Sequence, residues 1–203
     1  MNRMLTLCIA VLALAAVVIQ FVLMLANSTN TVGESIIRFF SYFTILTNTL
    51  VSVYFFYCAY RSYGYGKFTY RFGTLTAVTV YITIVGLVYQ LLLRHTWSPT
   101  GLQRVVDEML HSVNPLLVIG YWFLNKKGET LAYRQLARWL IYPLIYLIYV
   151  LIRGFFSNFY PYPFLDVTNL GFQQVIVNSF GITLLFVVIS MFFIGVAKLT
   201  AKK

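Results

Sequence analysis

Six long apolar runs constrain this chain more than any motif does. They cover roughly residues 4–26, 36–60, 73–93, 105–124, 139–156 and 174–197. Each is long enough to cross ~30 Å of hydrocarbon as a helix, the fifth with help from its flanks. A lipid interior offers the backbone no water, so each run must satisfy its own amides, which a helix does. Six such helices use up most of 203 residues, leaving a single transmembrane domain over 1–203 and no sizeable domain outside it. Charged residues make up only 10% of the chain, which excludes an ordinary soluble globule. The expected fold is therefore all-α: a polytopic membrane protein, a six-helix bundle with short loops. The first run opens with Met1-Asn2-Arg3, but its apolar core exceeds a signal sequence's ~7–15 residues and no small-x-small cleavage site closes it. It reads as a retained helix.

The net charge of +10 is explained by where the basic residues fall. With the N-terminus inside, Arg3, Arg61, Lys67, Arg71, Lys126, Lys127, Arg134, Arg138, Lys198, Lys202 and Lys203 are cytoplasmic. Arg38, Arg94, Arg104 and Arg153 lie opposite. Eleven against four places both termini in the cytoplasm. Tyr60, Tyr63, Tyr121, Trp122, Trp139 and Tyr142 gather at the inner helix ends as an interfacial belt would. Such a distribution points to a membrane, with membrane lipids as surroundings, and not to nucleic acid. Cys8 and Cys58 have no metal or redox spacing and read as small buried apolar residues. No cofactor or metal is implied. The inner loops, 61–72 and 125–138, look like connectors carrying Gly64, Gly66 and Gly128. Outside, Tyr160-Pro161-Tyr162-Pro163-Phe164-Leu165-Asp166 suggests a stiff, extended cap.

Polar side chains inside apolar spans need a partner or a wet cavity, so they are the informative ones. On span 2, helical spacing aligns Ser41, Thr44, Asn48 and Ser52; on span 4 it aligns Asp107, His111 and Asn114, with Arg104 one turn earlier. Span 5 carries Tyr142, Tyr146, Tyr149 and Arg153, span 3 carries Thr79, Thr83 and Gln90, and span 6 opens with Gln174 and Asn178. At 1.5 Å per residue Thr44 lies ~12 Å, and His111 ~9 Å, below the outer surface. Glu34, Asp107, Glu108 and Asp166 fall at that end too. These residues converge on the outer third of the bundle, beneath the Tyr-Pro-Tyr-Pro loop. Plainer roles exist for each. Thr44 would bond the Phe40 carbonyl one turn back. Asn48 and Asn114 would join helices at ~0.6 kcal/mol. The tyrosines would pack, His111 would pair with Asp107, and Arg153 would anchor the interface.

The stretch Phe40-Ser41-Tyr42-Phe43-Thr44-Ile45-Leu46-Thr47-Asn48 resembles an early span of the androgen-induced and androgen-dependent integral membrane protein family. His111-Ser112-Val113-Asn114-Pro115 is similar to that family's His-x-x-x-Pro element, and Tyr162-Pro163-Phe164-Leu165-Asp166 to its Tyr-Pro-Phe-Leu-acidic stretch. The three occur in the family's order across most of the chain. The resemblance implies a membrane-embedded threonine hydrolase of fatty acid esters of hydroxy fatty acids, with the essential threonine and histidine at Thr44 and His111. The first span and the loop lengths do not follow the animal proteins, so the substrate can differ within the same scaffold.

That implied chemistry is coherent. A hydroxyl nucleophile needs a base, and a neutral imidazole suits the task. Asp107 would fix the imidazole tautomer. Asn48, Asn114 or Arg153 would stabilise an oxyanion. Tyr42, Tyr146, Tyr149, Gln90 and Asn178 would line the substrate cavity, reached sideways from the outer leaflet. Two other readings compete: a non-catalytic membrane scaffold or lipid-binding protein, whose polar stripes only specify packing, and a proton-coupled transporter using Asp107, Glu108 and His111. The poor polarity of the inner half and the lack of a visible inverted repeat weigh against transport.

Overall fold

The computed structural model describes residues 3–62, 72–125 and 131–201. The parts of the expected inner loops and tail that carry Tyr63, Gly64, Gly66, Lys67, Arg71, Lys126, Lys127, Gly128, Lys202 and Lys203 lie outside the described residues. Among the described residues 86% are helical and none lies in a strand. Among the described residues, five helices are long and apolar enough to cross a membrane: Arg3–Ala26, Phe43–Arg61, Gly73–Leu93, Arg134–Ser157 and Phe172–Thr200. The run expected as span 4 is helical too, but is built in three pieces. Two compact units emerge, Met1–Glu129 and Thr130–Lys203.

In the first unit, α1 (Arg3–Ala26) packs along α3 (Phe43–Ser62), α3 against α4 (Phe72–Val88), and α4 against α6 (Asn114–Asn125). Small residues explain the close α1–α3 seam. Ala10, Ala13 and Ala16 are fully buried, near enough that Ser52 on α3 donates to the Ala10 carbonyl at 3.0 Å. Deeper ties follow the same logic, each satisfying a buried polar group: Thr6 donates to the Tyr121 hydroxyl at 3.4 Å, and the Trp122 indole to Thr76 at 2.8 Å. Cys58 is buried as expected, whereas Cys8 is exposed because it lies off the alanine seam.

Span 2 is not one helix, contrary to the expected run over 36–60. A short helix α2 (Val32–Phe39) is capped by Thr31, whose hydroxyl accepts the Glu34 amide, and braced by a 2.7 Å Glu34–Arg38 pair. The chain turns at Phe40–Tyr42, and Ser41 bends back to the Ile37 carbonyl at 2.7 Å. Helix α3 then starts afresh at Phe43. Thr44 is thus its second residue and not, as expected, a mid-helix residue with a helical carbonyl one turn behind it.

Spans 3 and 4 each contain a π-helical turn. Helix α4 ends in one at Tyr89–Leu93, closed by the Arg94 amide on the Tyr89 carbonyl at 2.8 Å. Helix α5 (Gly101–Glu108) passes through Met109–Val113 into α6, and there the Asn114 amide reaches back five residues to Met109. Pro115 gives the reason. It has no N–H to continue the ladder, so the turn widens around the missing donor. Gly86 lets the widened turn approach α4, since a β-carbon there would sit 3.2 Å from the His111 carbonyl oxygen and 3.3 Å from Pro115 Cβ.

In the second unit, α7 (Arg134–Trp139) and α8 (Ile141–Ser157) are separate because Pro143 cannot donate to the Trp139 carbonyl. Asn158 ends α8 with a left-handed φ of 51°, and Tyr160 packs flat on the bare backbone of Gly154. The Tyr-Pro stretch is not extended throughout, as the sequence suggested. It turns at Pro163–Leu165, stacks Tyr162 on Phe164 at 5.2 Å, and buries Leu165. Asp166 caps the short helix α9 (Val167–Leu170), and Asn178 of α10 (Phe172–Ala201) holds the Phe164 carbonyl at 2.9 Å. The turn wins because it satisfies amides and carbonyls that an extended strap would leave open.

Gly86→Val is expected to force α4 and span 4 apart and lower stability by about 1–3 kcal/mol, the usual cost of overpacking. Thermal unfolding in detergent checks this, with Gly120→Val as the control, because a β-carbon at Gly120 meets nothing within 4 Å.

Candidate active site

The start of α3 and the π turn of span 4 meet. Thr44 Oγ1 lies 3.3 Å from His111 Nε2. The other ring nitrogen, Nδ1, faces two acceptors on its own helix: the Asp107 carbonyl at 2.9 Å and the Asp107 carboxylate Oδ1 at 3.1 Å. With acceptors only on that side, the proton belongs on Nδ1, which leaves the Nε2 lone pair for the Thr44 hydroxyl. Thr44 and Asp107 are buried and His111 nearly so, at 13% side-chain exposure. A hydroxyl, an imidazole and a carboxylate therefore stand in relay order away from bulk water. Thr44 also occupies the positive end of a 20-residue helix, where developing negative charge is favoured.

Asn48 and Asn114 brace this contact from one turn deeper. Asn48 Nδ2 donates to the Thr44 carbonyl at 2.9 Å and across to the Leu110 carbonyl at 3.3 Å. In the widened register Leu110 is the carbonyl that Pro115 would have served, so Asn48 replaces the missing proline N–H. Because both partners of Asn48 Nδ2 are acceptors, its Oδ1 must face Asn114, which donates to it at 2.8 Å. Asn114 Oδ1 is left buried with no hydrogen-bond partner among the described residues. The Asn48 amide hydrogens are thus committed to backbone carbonyls, so its geometry favours a bracing role over the expected oxyanion contact.

A second network joins Gln90 and Arg94 to Glu108 and Ser112. Gln90 donates to Ser112 at 2.9 Å, Ser112 to Glu108 at 2.6 Å, and Arg94 to Glu108 at 2.5 Å and to Gln90 at 2.8 Å. This ring ties the two π turns to each other. Gln90, expected in the substrate cavity, is one of its members. Tyr42 packs partly buried against a core of Ala16, Val17, Phe39, Ile45, Val106 and Leu110. Thr79 and Thr83 take the plainer role, bonding carbonyls one turn back at 2.8 and 2.6 Å.

The remaining expected residues belong to the second unit. Arg153 donates to Ser157 at 3.2 Å and to the Phe159 carbonyl at 3.4 Å, its guanidinium 4.8 Å from the Phe159 ring centre. Tyr146 is buried, Tyr149 is 38% exposed, and Asn178 holds the Phe164 turn.

One site residue escaped the sequence reading. Tyr89 stacks on the His111 ring, centres 4.0 Å apart and planes within 14°, and its hydroxyl donates to Asp107 Oδ2. A phenolic oxygen near the C-terminal end of span 3, beside Gln90, was the available signal. Aromatic abundance in this chain hid it. Among the described residues no group of three or more His, Cys, Asp or Glu side chains is placed to hold a metal. Comparison of the chain with family models, curated proteins and solved structures finds no match.

The Asn48–Asn114 pair is expected to couple energetically. Asn48→Leu alone leaves the Leu110 carbonyl bare and should cost about 1–2 kcal/mol. Asn114→Leu in the Asn48→Leu background should then cost less than in wild type. A double-mutant cycle on unfolding in mixed micelles measures the difference.

Proposed function

We propose that the protein is an intramembrane lipid-ester hydrolase that uses Thr44 as nucleophile and His111 as general base near the outer leaflet. In this reading it is a six-span, multi-pass protein of the bacterial cytoplasmic membrane with both termini inside. The observation that carries the proposal is the 3.3 Å Thr44–His111 contact with Nδ1 of the same ring held on Asp107. The three-motif resemblance to the androgen-induced and androgen-dependent integral membrane proteins supports it, because Thr44 and His111 are the two residues that likeness singles out.

The steps balance as follows. His111 Nε2 takes the hydroxyl proton as Thr44 Oγ1 bonds to the ester carbonyl carbon. Asp107 offsets the positive charge that forms on the ring. The tetrahedral intermediate collapses with loss of the alcohol oxygen, which receives the proton from Nε2, and the acyl group stays on Thr44. Water then attacks the acyl-threonine, gives one proton to Nε2, and releases a carboxylic acid as Oγ1 regains that proton. The positive end of α3 favours the negative oxygen in both tetrahedral stages. A substrate with long acyl chains suits a centre whose surroundings are hydrocarbon.

A non-catalytic scaffold is the second reading, favoured by the Asn48–Asn114 clamp, which stabilises packing whatever the protein does. Hydrolysis assays separate the two. Purified protein in nanodiscs should cleave a long-chain acyl ester, Thr44→Ser should retain part of the rate, and Thr44→Ala and His111→Ala should each lose about a thousandfold or more. Unchanged rates in both alanine variants would sink the hydrolase and leave the scaffold.

A further inference from the structure

We propose that Tyr89 is the positioning residue of this centre, holding the His111 ring and the Asp107 carboxylate in the one arrangement that aims Nε2 at Thr44. The kinetic consequence rests on the hydrolase reading, but the geometric claim does not.

His111 and Asp107 lie four residues apart on one helix, so their hydrogen bond is local and carries no information about α3. Nor does it fix the ring plane alone. Nδ1 meets its two acceptors, 2.9 and 3.1 Å away, only in this ring orientation, and a turn of the ring carries it off both. An imidazole that turns about its Cβ–Cγ bond moves Nε2 away from Thr44. What further opposes this turning comes from another helix. The Tyr89 ring lies nearly parallel to the imidazole at 4.0 Å, so a turned imidazole would drive its edge into the Tyr89 face. The same side chain donates its hydroxyl to Asp107 Oδ2, on a carboxylate that the Trp97 indole also reaches, while Oδ1 faces the histidine. One residue thus orients both the base and the group that sets its tautomer.

The backbone beneath Tyr89 suits the task. Tyr89 opens the π turn of span 3, whose register is closed by the Arg94 amide on the Tyr89 carbonyl. Arg94 in turn grips Glu108, the residue after Asp107, and its guanidinium lies 5.9 Å from the Tyr89 ring centre. The ring of Gln90, Ser112, Glu108 and Arg94 therefore fixes where Tyr89 stands relative to His111. Without the ring stack and the phenolic hydroxyl, the Thr44–His111 contact would be one of several orientations.

The test uses nitrogen-15 imidazole spectra of the full chain in nanodiscs. With His95→Gln present, His111 is the one remaining histidine of the two. Wild type should show a single Nδ1–H tautomer. Tyr89→Phe keeps the stack and should keep that tautomer, while lowering kcat about tenfold through loss of a hydrogen bond to a carboxylate. Tyr89→Leu removes both contacts and should give exchanging tautomers and a kcat about a hundredfold lower, as misplaced groups do, with KM within about twofold. Partial rescue by phenylalanine distinguishes positioning from a fold defect. A single Nδ1–H tautomer in Tyr89→Leu would overturn the proposal, whether or not the wild type hydrolyses anything. Absent hydrolysis in a wild type with the expected spectra would instead overturn the hydrolase reading and leave Tyr89's role to be decided by the tautomers.

Discussion

Pro115 takes a hydrogen-bond donor out of a buried stretch of helix, and the first unit is organised around that loss. In water the exposed carbonyl would be solvated; buried, it costs about 1–3 kcal/mol unless the protein supplies a donor. Asn48 supplies it, reaching from α3 to the Leu110 carbonyl. The same amide holds the Thr44 carbonyl, so the residue that repairs span 4 also fixes the first turn of α3. The widened turn carries His111, the repaired helix start carries Thr44, and their meeting follows from one interhelical clamp.

Two more constraints hold that geometry. Gly86 allows the swollen turn to approach α4 where any side chain would crowd the His111 carbonyl. Beyond Tyr89, the Arg94–Glu108 pair and its two amide and hydroxyl partners lock the π turns of α4 and span 4 together. Such an exposed pair would contribute little by itself. Its place in a closed four-residue ring makes it a fastener between backbones that proline and π turns have loosened.

Much of this was legible in the sequence, and the reasons for success and failure are physical. Apolar length and scarce charge reveal helices because lipid permits few alternatives. Polar residues at helical spacing in a lipid-like stretch must find partners, so the alignment of Asp107, His111 and Asn114, and of Thr44 with Asn48, picked out the residues that meet. What spacing could not show was a change of register. The break at Phe40–Tyr42 depends on a serine bonding backward and a fresh helix start, neither of which interrupts the apolar run. Uniform α periodicity also conceals a π turn, although Pro115 marked where one was needed. Tyr89 was invisible for a different reason: in a chain with 16 tyrosines, only coordinates distinguish a packed ring from one stacked on an imidazole.

The central claim is that the Thr44 oxygen is a nucleophile made reactive by His111. The most direct measurement is the site of covalent attachment after exposure of the full-length protein to a long-chain alkyl fluorophosphonate, mapped by peptide mass spectrometry. The account predicts one adduct, on Thr44, that disappears in His111→Ala while that variant still folds. An adduct elsewhere, or labelling of Thr44 that persists without the imidazole, would contradict it.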